Sequence, residues 1–463
     1  MLLAEGDLQA ILQAALAAGG DFAEIFLERR RTTSISCEDN KIERVTAGLD
    51  QGAGIRVIAG TNTAYGYSND LSRDSLIQTA ALVGRALPGQ PRPREIIFSK
   101  PAAPVEFTIQ RRPDQVAVEE KVALVNKANA AARAIDQRIV QVTVGYGDVI
   151  QEVTIANSDG TLVEDERVRC RFVVNAVATD GKAIQTGFES AGGHQGWELF
   201  DSVDPEERAR LAARRAVMML EARPAPAGRM AVVMAGEAGG TMIHEACGHG
   251  LEADLVQKQL SVYAGKQGQK VAADLITVID DPTIPGRYGS YRFDDEGTAG
   301  QKTVLIENGV LKGYMYDYLT ARKEKRRSTG NGRRESYQDR PIPRMTNTYI
   351  APGQDDPEAI LRETGQGLLV KRMGGGQVNT TNGDFVFDVA EGYLIENGKI
   401  GPAVRGATLT GSGPEVLRLI DRVGTDLGFA LGTCGKDGQG VPVCDAQPTI
   451  RIPAMVVGGI LEE

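Results

Sequence analysis

The chain has 463 residues and a mass of 49.5 kDa, with 42% hydrophobic residues, 24% charged residues and a formal net charge of −9. At about 150 residues per domain this length holds two or three domains, and the composition excludes a disordered tail, a collagen-like repeat or a low-complexity chain. The acidic balance argues against a free nucleic-acid binder, and no run approaches about 18 uninterrupted apolar residues, so neither nucleic acid nor a membrane is an expected partner.

The N-terminal run is apolar but lacks a basic leading segment and carries Glu5 and Asp7, so it reads as an amphipathic helix rather than a signal peptide. Asp7 serves as its expected N-cap, Leu8, Ile11, Leu12, Ala15 and Leu16 form one stripe, and Gly19-Gly20 ends it. Strand-like patterns follow from Phe22 to Tyr67, and a second helix is expected over Ser72–Leu87. The proline-rich stretch 88–112 reads as a linker, because proline removes backbone donors and cannot sit in a central element.

Beyond Pro113 a helix is expected with Val118, Val122 and Val125 on one face, then a run of short strands from Ile139 to about Val177. Asp204-Pro205-Glu206-Glu207 starts a helix with an acidic cap, proline at its first position and acids in its first turn. The prolines after Arg223 break it. The domain reading is therefore an N-terminal α/β subdomain over 1–87, the linker, a second α/β subdomain over 113–223, and a β-rich domain over 229–463. The fold class is α+β, a mixed α/β N-terminal region followed by a β-rich C-terminal domain that carries one or two helices.

In that last region Asn308-Gly309 and Asn397-Gly398, each after a Leu-Ile-Glu run, predict two hairpins. No fixed repeat period accompanies them. The basic cluster from Arg322 to Arg334 reads as a solvated loop or a contact for an anionic group or subunit. Five cysteines in so long a chain do not make a disulfide framework, which leads to an expectation of reduced thiols and a cytoplasmic location.

Two of the three histidines fall in Ile243-His244-Glu245-Ala246-Cys247-Gly248-His249-Gly250. Imidazoles donate neutral nitrogens to a divalent metal, and a glutamate beside the first is placed to take a proton from water. The histidines are at i and i+5. At about 100° per residue, five steps leave the second about 140° from the first, so a regular α-helix cannot aim both at one ion. Either a π-type wide turn realigns them, or the helix ends at Gly248. A catalytic site needs a third protein ligand, and spacing alone leaves Cys434, Glu252, Cys247 and Cys444 open. Cys434, flanked by glycine with Lys436 nearby, reads as a candidate accessible thiolate. His194, between glycines, reads as a loop or interface histidine.

These segments resemble the TldD/PmbA (TldD/TldE) family of metalloproteases. The resemblance rests on Met242–Asp254, Asp294–Thr298, Thr329–Tyr337, Pro343–Thr348, Gly374–Val378 and Cys434–Gln439, which follow in order through 229–463. It implies a peptidase with one zinc ion per chain held by His244, His249 and the Cys434 thiolate, with Glu245 activating the zinc-bound water. The motif-bearing chain would match the metal-carrying subunit, since the TldE-like paralogue lacks the motif. The resemblance further implies pairing with such a paralogue, or with a second copy, and action on short or unfolded peptides in maturation or degradation. The rival readings are a metal-stabilised protein that binds or escorts peptides without cleaving them, and a metal hydrolase acting on a non-peptide amide.

Overall fold

The computed structural model describes residues 2–87, 89–90 and 95–459. Its first half is organised by one six-stranded antiparallel sheet: β1 (Phe22–Glu38), β2 (Lys41–Ala59), β3 (Asn62–Ser68), β4 (Ile139–Asn157), β5 (Leu162–Thr179) and β6 (Ile184–Gly193), in the order β3-β2-β1-β4-β5-β6. β1 turns into β2 through Asp39 and Asn40, both with positive φ, and it pairs with β4 from Glu24–Asn157 to Glu38–Thr143. The segments on either side of the proline-rich stretch therefore share a single sheet. Part of that stretch, 88 and 91–94, lies outside the described residues; in the rest, Ile96 is buried and Ser99 bridges to Thr161.

Period-two alternation explains why β1 is buried on both faces near its start. Ala23, Ile25 and Leu27 pack under helices α1 (Glu5–Leu16) and α2 (Arg73–Arg85), whereas Phe26 joins Val153, Ile155 and Val163 against Phe293 and Tyr337 of the second half. At the far end of the sheet, Ile35, Val144 and Val174 pack against the helices Val118–Arg133 and Pro205–Glu221, the latter capped by the Asp204 side chain as expected.

Three local expectations change. α1 starts at Glu5 with Ala4 as its cap, so Asp7 lies in the first turn, where its charge still suits the helix N-terminus. In Val118–Arg133 the inward residues are Lys121, Val125, Ala128 and Ala132, while Val118 is exposed; buried Lys121 is tolerated because Asp148 takes its ammonium at 2.6 Å. The expected short strands are two long ones, β4 and β5. Their charged residues do not break them, because Arg167 pairs with Asp165 and Asp295, and Arg169 donates to the carbonyls of Tyr288 and Ser290.

The second half is β-rich. Strands Gln366–Val378, Gly228–Met234, Ile450–Gly458, Thr408–Ser412 and Asp384–Glu396 pair in that order, and the first also pairs with the last, so the five close a ring; Lys399–Arg405 continues outward from Asp384–Glu396. A six-stranded sheet lies beside it, including Val278–Asp280, Thr303–Glu307, Thr348–Ile350 and the hairpin Gly428–Lys436/Gln439–Gln447, with Gly428–Lys436 at its edge. One apolar core serves both. Asn308-Gly309 and Asn397-Gly398 turn hairpins as predicted, all four residues having positive φ.

The basic cluster divides. Lys323, Lys325 and Arg327 are exposed, but Arg333 and Arg334 are buried between the halves, with Arg334 on Glu24 at 2.7 Å. The solvated-loop reading fails for these two because their partners come from distant segments: Glu24 for Arg334, and the carbonyls of Met345 and Pro442 for Arg333.

Candidate metal centre

The first half of the motif stands on a short helical turn, Thr241–Ile243, that widens into a π-type turn over His244–Gly248, where the His249 N–H donates to the His244 carbonyl. This closes the angular gap set by the i, i+5 spacing. A tighter turn, His249–Leu251, follows. Met242, Ile243 and Cys247 face the core, and the Tyr263 hydroxyl donates to the Ala246 carbonyl at 3.0 Å. The two imidazoles consequently meet edge to face with ring centres 4.9 Å apart.

The other half comes from the 428–447 hairpin. Its turn at Asp437-Gly438 has positive φ at both residues, the geometry an Asp-Gly pair favours. Cys434 pairs with Val441 and Ala430 with Asp445, so alternation puts Cys434, Lys436 and Asp445 on one face, toward the motif. The donor atoms of His244, His249 and Cys434 all lie within 4.8 Å of one another. His244 Nε2 is 3.2 Å from Cys434 Sγ, and His249 Nε2 is 3.5 Å from it.

Both imidazoles are held from behind. His244 Nδ1 meets Asp445 Oδ1 at 2.8 Å, and His249 Nδ1 meets Glu252 Oε2 at 3.1 Å. A carboxylate on Nδ1 fixes the ring so that Nε2 points inward, the arrangement that supports histidine metal ligands. Lys436 Nζ bonds Glu252 at 3.1 Å and Asp254 at 2.6 Å. Burial would raise Glu252, but Lys436 and His249 bring it down to about 2. Burial would likewise raise the Cys434 thiol, yet the facing imidazoles outweigh it and lower it to about 5. Burial pulls both histidines down, but Asp445 and Cys434 carry His244 well above its usual range, and Glu252 with Cys434 carries His249 to about 9. Two imidazoles and a ready thiolate, each braced, form a donor set suited to zinc.

Glu245 leaves the same turn, half-buried, and borders a pocket of about 450 Å³ with His249, Gln377, Val378, Gly435 and Lys436. Burial raises its carboxyl, partly offset by the neighbouring histidines.

The remaining candidates fall elsewhere. Cys434 is buried, not accessible as its glycine neighbours suggested, because the motif turn covers it. Cys247 points away from the imidazoles, toward the Ile243 carbonyl. Cys444 borders a different pocket. Glu252 stands behind His249 rather than beside the three donors. His194 is buried between the halves, with Nδ1 3.1 Å from the Ser290 carbonyl and its ring against Phe107; burial lowers its proton affinity. Sequence reasoning missed Asp445 as a supporting group, and it set Lys436 beside the Cys434 thiol rather than on Glu252 and Asp254, where the structure places it. The Asp-Gly turn between their strands was the available signal.

Residues 23–87, 111–220 and 227–459 match the three domains of the PmbA/TldA metallopeptidase family, described as domain 1, central domain and C-terminal domain. A relative from Haemophilus influenzae, named a metalloprotease TldD homolog, is 38% identical over 95% of this chain and 93% of its own length. One from Saccharolobus solfataricus, named a zinc metalloprotease TldD homolog, is 26% identical over 95% of this chain and 97% of its own length. The crystal structure of TldE from Thermococcus kodakarensis matches in fold, with a TM-score of 0.77 at 21% identity, over 98% of this chain and 100% of that one.

Proposed function

The chain belongs to the PmbA/TldD metallopeptidase family, and from that premise we propose that it is a zinc-dependent peptidase that cleaves short or unfolded peptides, with His244, His249 and Cys434 holding the metal and Glu245 as the proton carrier. One observation carries the reading: three donor side chains from two distant segments converge within 4.8 Å, and the glutamate between the histidines borders an open pocket beside them. A zinc ion bound by such a set supplies a Lewis acid that acidifies water and polarises a scissile carbonyl.

The residues divide the remaining work. Asp445 and Glu252 keep the imidazoles turned inward, and Lys436 keeps Glu252 ionised. Glu245 takes a proton from the attacking water and returns it to the departing amine, a role suited to a carboxyl whose proton affinity is raised by burial. Gln377 and Val378 of one strand and Gly435 of another line the pocket with Glu245, and strand backbone beside the proton carrier suits an extended peptide. A metal site with a purely structural role needs no such carboxylate, and this favours the peptidase over an escort protein. Peptide maturation or degradation in the cytoplasm, together with a TldE/PmbA-like paralogue or a second copy, completes the proposal. No helix among the described residues is long and apolar enough to cross a membrane.

The test is Glu245→Gln. It should retain bound metal and fold but lose peptide hydrolysis by about 10²–10⁴-fold, read by metal analysis and a peptide-cleavage assay. Unchanged turnover would refute the assignment of Glu245.

A further inference from the structure

A second pocket, of about 960 Å³, lies between the two halves of the chain. Three strand edges meet there. β6 is the outer strand of the first sheet, Gly428–Lys436 is the outer strand of its own sheet, and Gln366–Val378 pairs with Gly228–Met234 only through Leu368–Val370, leaving Met373–Gly375 free on that side.

The charge of this pocket is unbalanced. Arg208, Arg215, Arg287 and Arg372 line it, against Glu189 and Glu237. Glu189 serves three guanidinium groups, Arg208 at 3.1 Å, Arg215 at 2.8 Å and Arg372 at 3.2 Å, and Arg215 is also met by Glu391 at 2.6 Å. Glu237 is engaged by Lys371 at 3.1 Å. Arg287 has no carboxylate partner among the described residues; its guanidinium lies over the Phe429 ring, 3.7 Å from the centre. A positively charged, partly desolvated fork beside aromatic surface, with Phe188 exposed nearby, is completed by a carboxylate on an otherwise apolar segment.

The two pockets lie along the same strands. Phe429 borders the large pocket and Gly435 the metal-side pocket, while Gly375 and Gln377 do the same along Gln366–Val378. Phe429 and Cys434 are five residues apart, or about 17 Å in extended chain, and their side chains stand on opposite faces of this edge strand, so a peptide that reaches both would lie along its free edge. We propose that the large pocket is a carboxylate-binding subsite, in which Arg287 takes an acidic side chain or the C-terminal carboxylate of a substrate peptide about five residues from the bond cleaved at the metal. This rests on the peptidase reading and adds to it a rule of substrate selection.

The test uses alanine-rich peptides in which a single Glu is moved one position at a time, each made as the free acid and as the C-terminal amide. Binding is measured by fluorescence anisotropy to zinc-loaded Glu245→Gln protein, and cleavage positions by mass spectrometry with the native protein. One Glu position, or the free acid over its amide, should bind about tenfold more tightly than the neutral peptide, as one charge-assisted contact provides. The position series and the amide pair distinguish the side chain from the terminus. Arg287→Gln should abolish the preference, and Arg287→Glu should transfer it to a Lys at the same position. Equal binding of all the peptides, or a Glu preference that survives Arg287→Glu, overturns the subsite. Cleavage of every peptide without positional preference overturns the subsite and leaves the peptidase standing. A positional preference in binding without cleavage of any peptide, with or without a TldE/PmbA-like paralogue added, supports the subsite and overturns the peptidase.

Discussion

At the scale of single residues, the thiol of Cys434 carries the sharpest expectation. It sits between two imidazoles that lower it to about 5, whereas burial pushes Cys444 up to about 12 and leaves Cys247 facing a carbonyl. Cys434→Ser should therefore lose metal, with affinity reduced at least tenfold, while Cys247→Ser and Cys444→Ser keep full occupancy by elemental analysis. The pH dependence of metal uptake follows from the same groups. At neutral pH the metal-free site already holds a thiolate, but His244 and His249 are raised, the latter to about 9, and each must shed a proton to become a ligand. Raising the pH removes that competing proton, so metal affinity should climb from pH 7 through about 9, the range in which His249 gives up its proton. Titration calorimetry in buffers of different ionisation enthalpy should show proton release at pH 7 that shrinks as the pH rises. A flat profile with no proton release would contradict the proton inventory.

At the scale of elements, the wide turn His244–Gly248 depends on what packs against it. Gly413 opens the helix Gly413–Leu419, and a Cβ there would lie 2.1 Å from the Ala246 carbonyl oxygen, which is backbone and cannot swing aside. Gly413→Ala should push the turn off its register, destabilise the protein by about 1–3 kcal/mol and weaken metal binding even though no ligand is touched. Thermal unfolding and metal titration of the purified variant check both effects. Much of this turn is legible in the sequence: the i, i+5 spacing of His244 and His249 excludes a regular helix, and Gly248 permits the wider one. The proposed third donor is not legible from spacing, and the family resemblance alone singles out Cys434, because local spacing cannot show that a hairpin some 190 residues onward delivers Cys434 and Asp445 on one face. The long strands β4 and β5 read as short ones for a related reason. Glu164, Asp165, Arg167 and Arg169 look like interruptions until the opposing half supplies Asp295 and the carbonyls of Tyr288 and Ser290. Arg333 and Arg334 were hidden similarly, since charged residues beside glycines read as solvated until Glu24 is placed against Arg334, and the carbonyls of Met345 and Pro442 against Arg333.

At the scale of the whole molecule, the two halves are joined by buried charge as much as by apolar contact. Glu24 accepts from Arg56 at 2.7 Å and from Arg334 at 2.7 Å, Arg56 reaches Glu296 at 2.6 Å, and Glu28 accepts the Tyr337 N–H at 2.9 Å. Each of these side chains is almost wholly inaccessible, and in the network Glu24 is the acid that meets arginines from both halves. Alternation along β1 explains the placement: Glu24, Phe26 and Glu28 share the face turned to the second half, while Ile25 and Leu27 serve the helices on the other. Removing the Glu24 charge leaves two buried guanidinium groups short of a partner, and breaking such a network costs about 3–5 kcal/mol. The metal site lies wholly within the second half, so it should survive the change, whereas the large pocket is built from both halves. Glu24→Gln should therefore lower the unfolding midpoint and separate one cooperative transition into two in calorimetry. It should also keep metal content intact and erode discrimination between acidic and neutral peptides before it erodes cleavage itself. A variant that unfolds in a single transition at the wild-type midpoint would show that the apolar contacts of Phe26, Phe293 and Tyr337 suffice to hold the halves together.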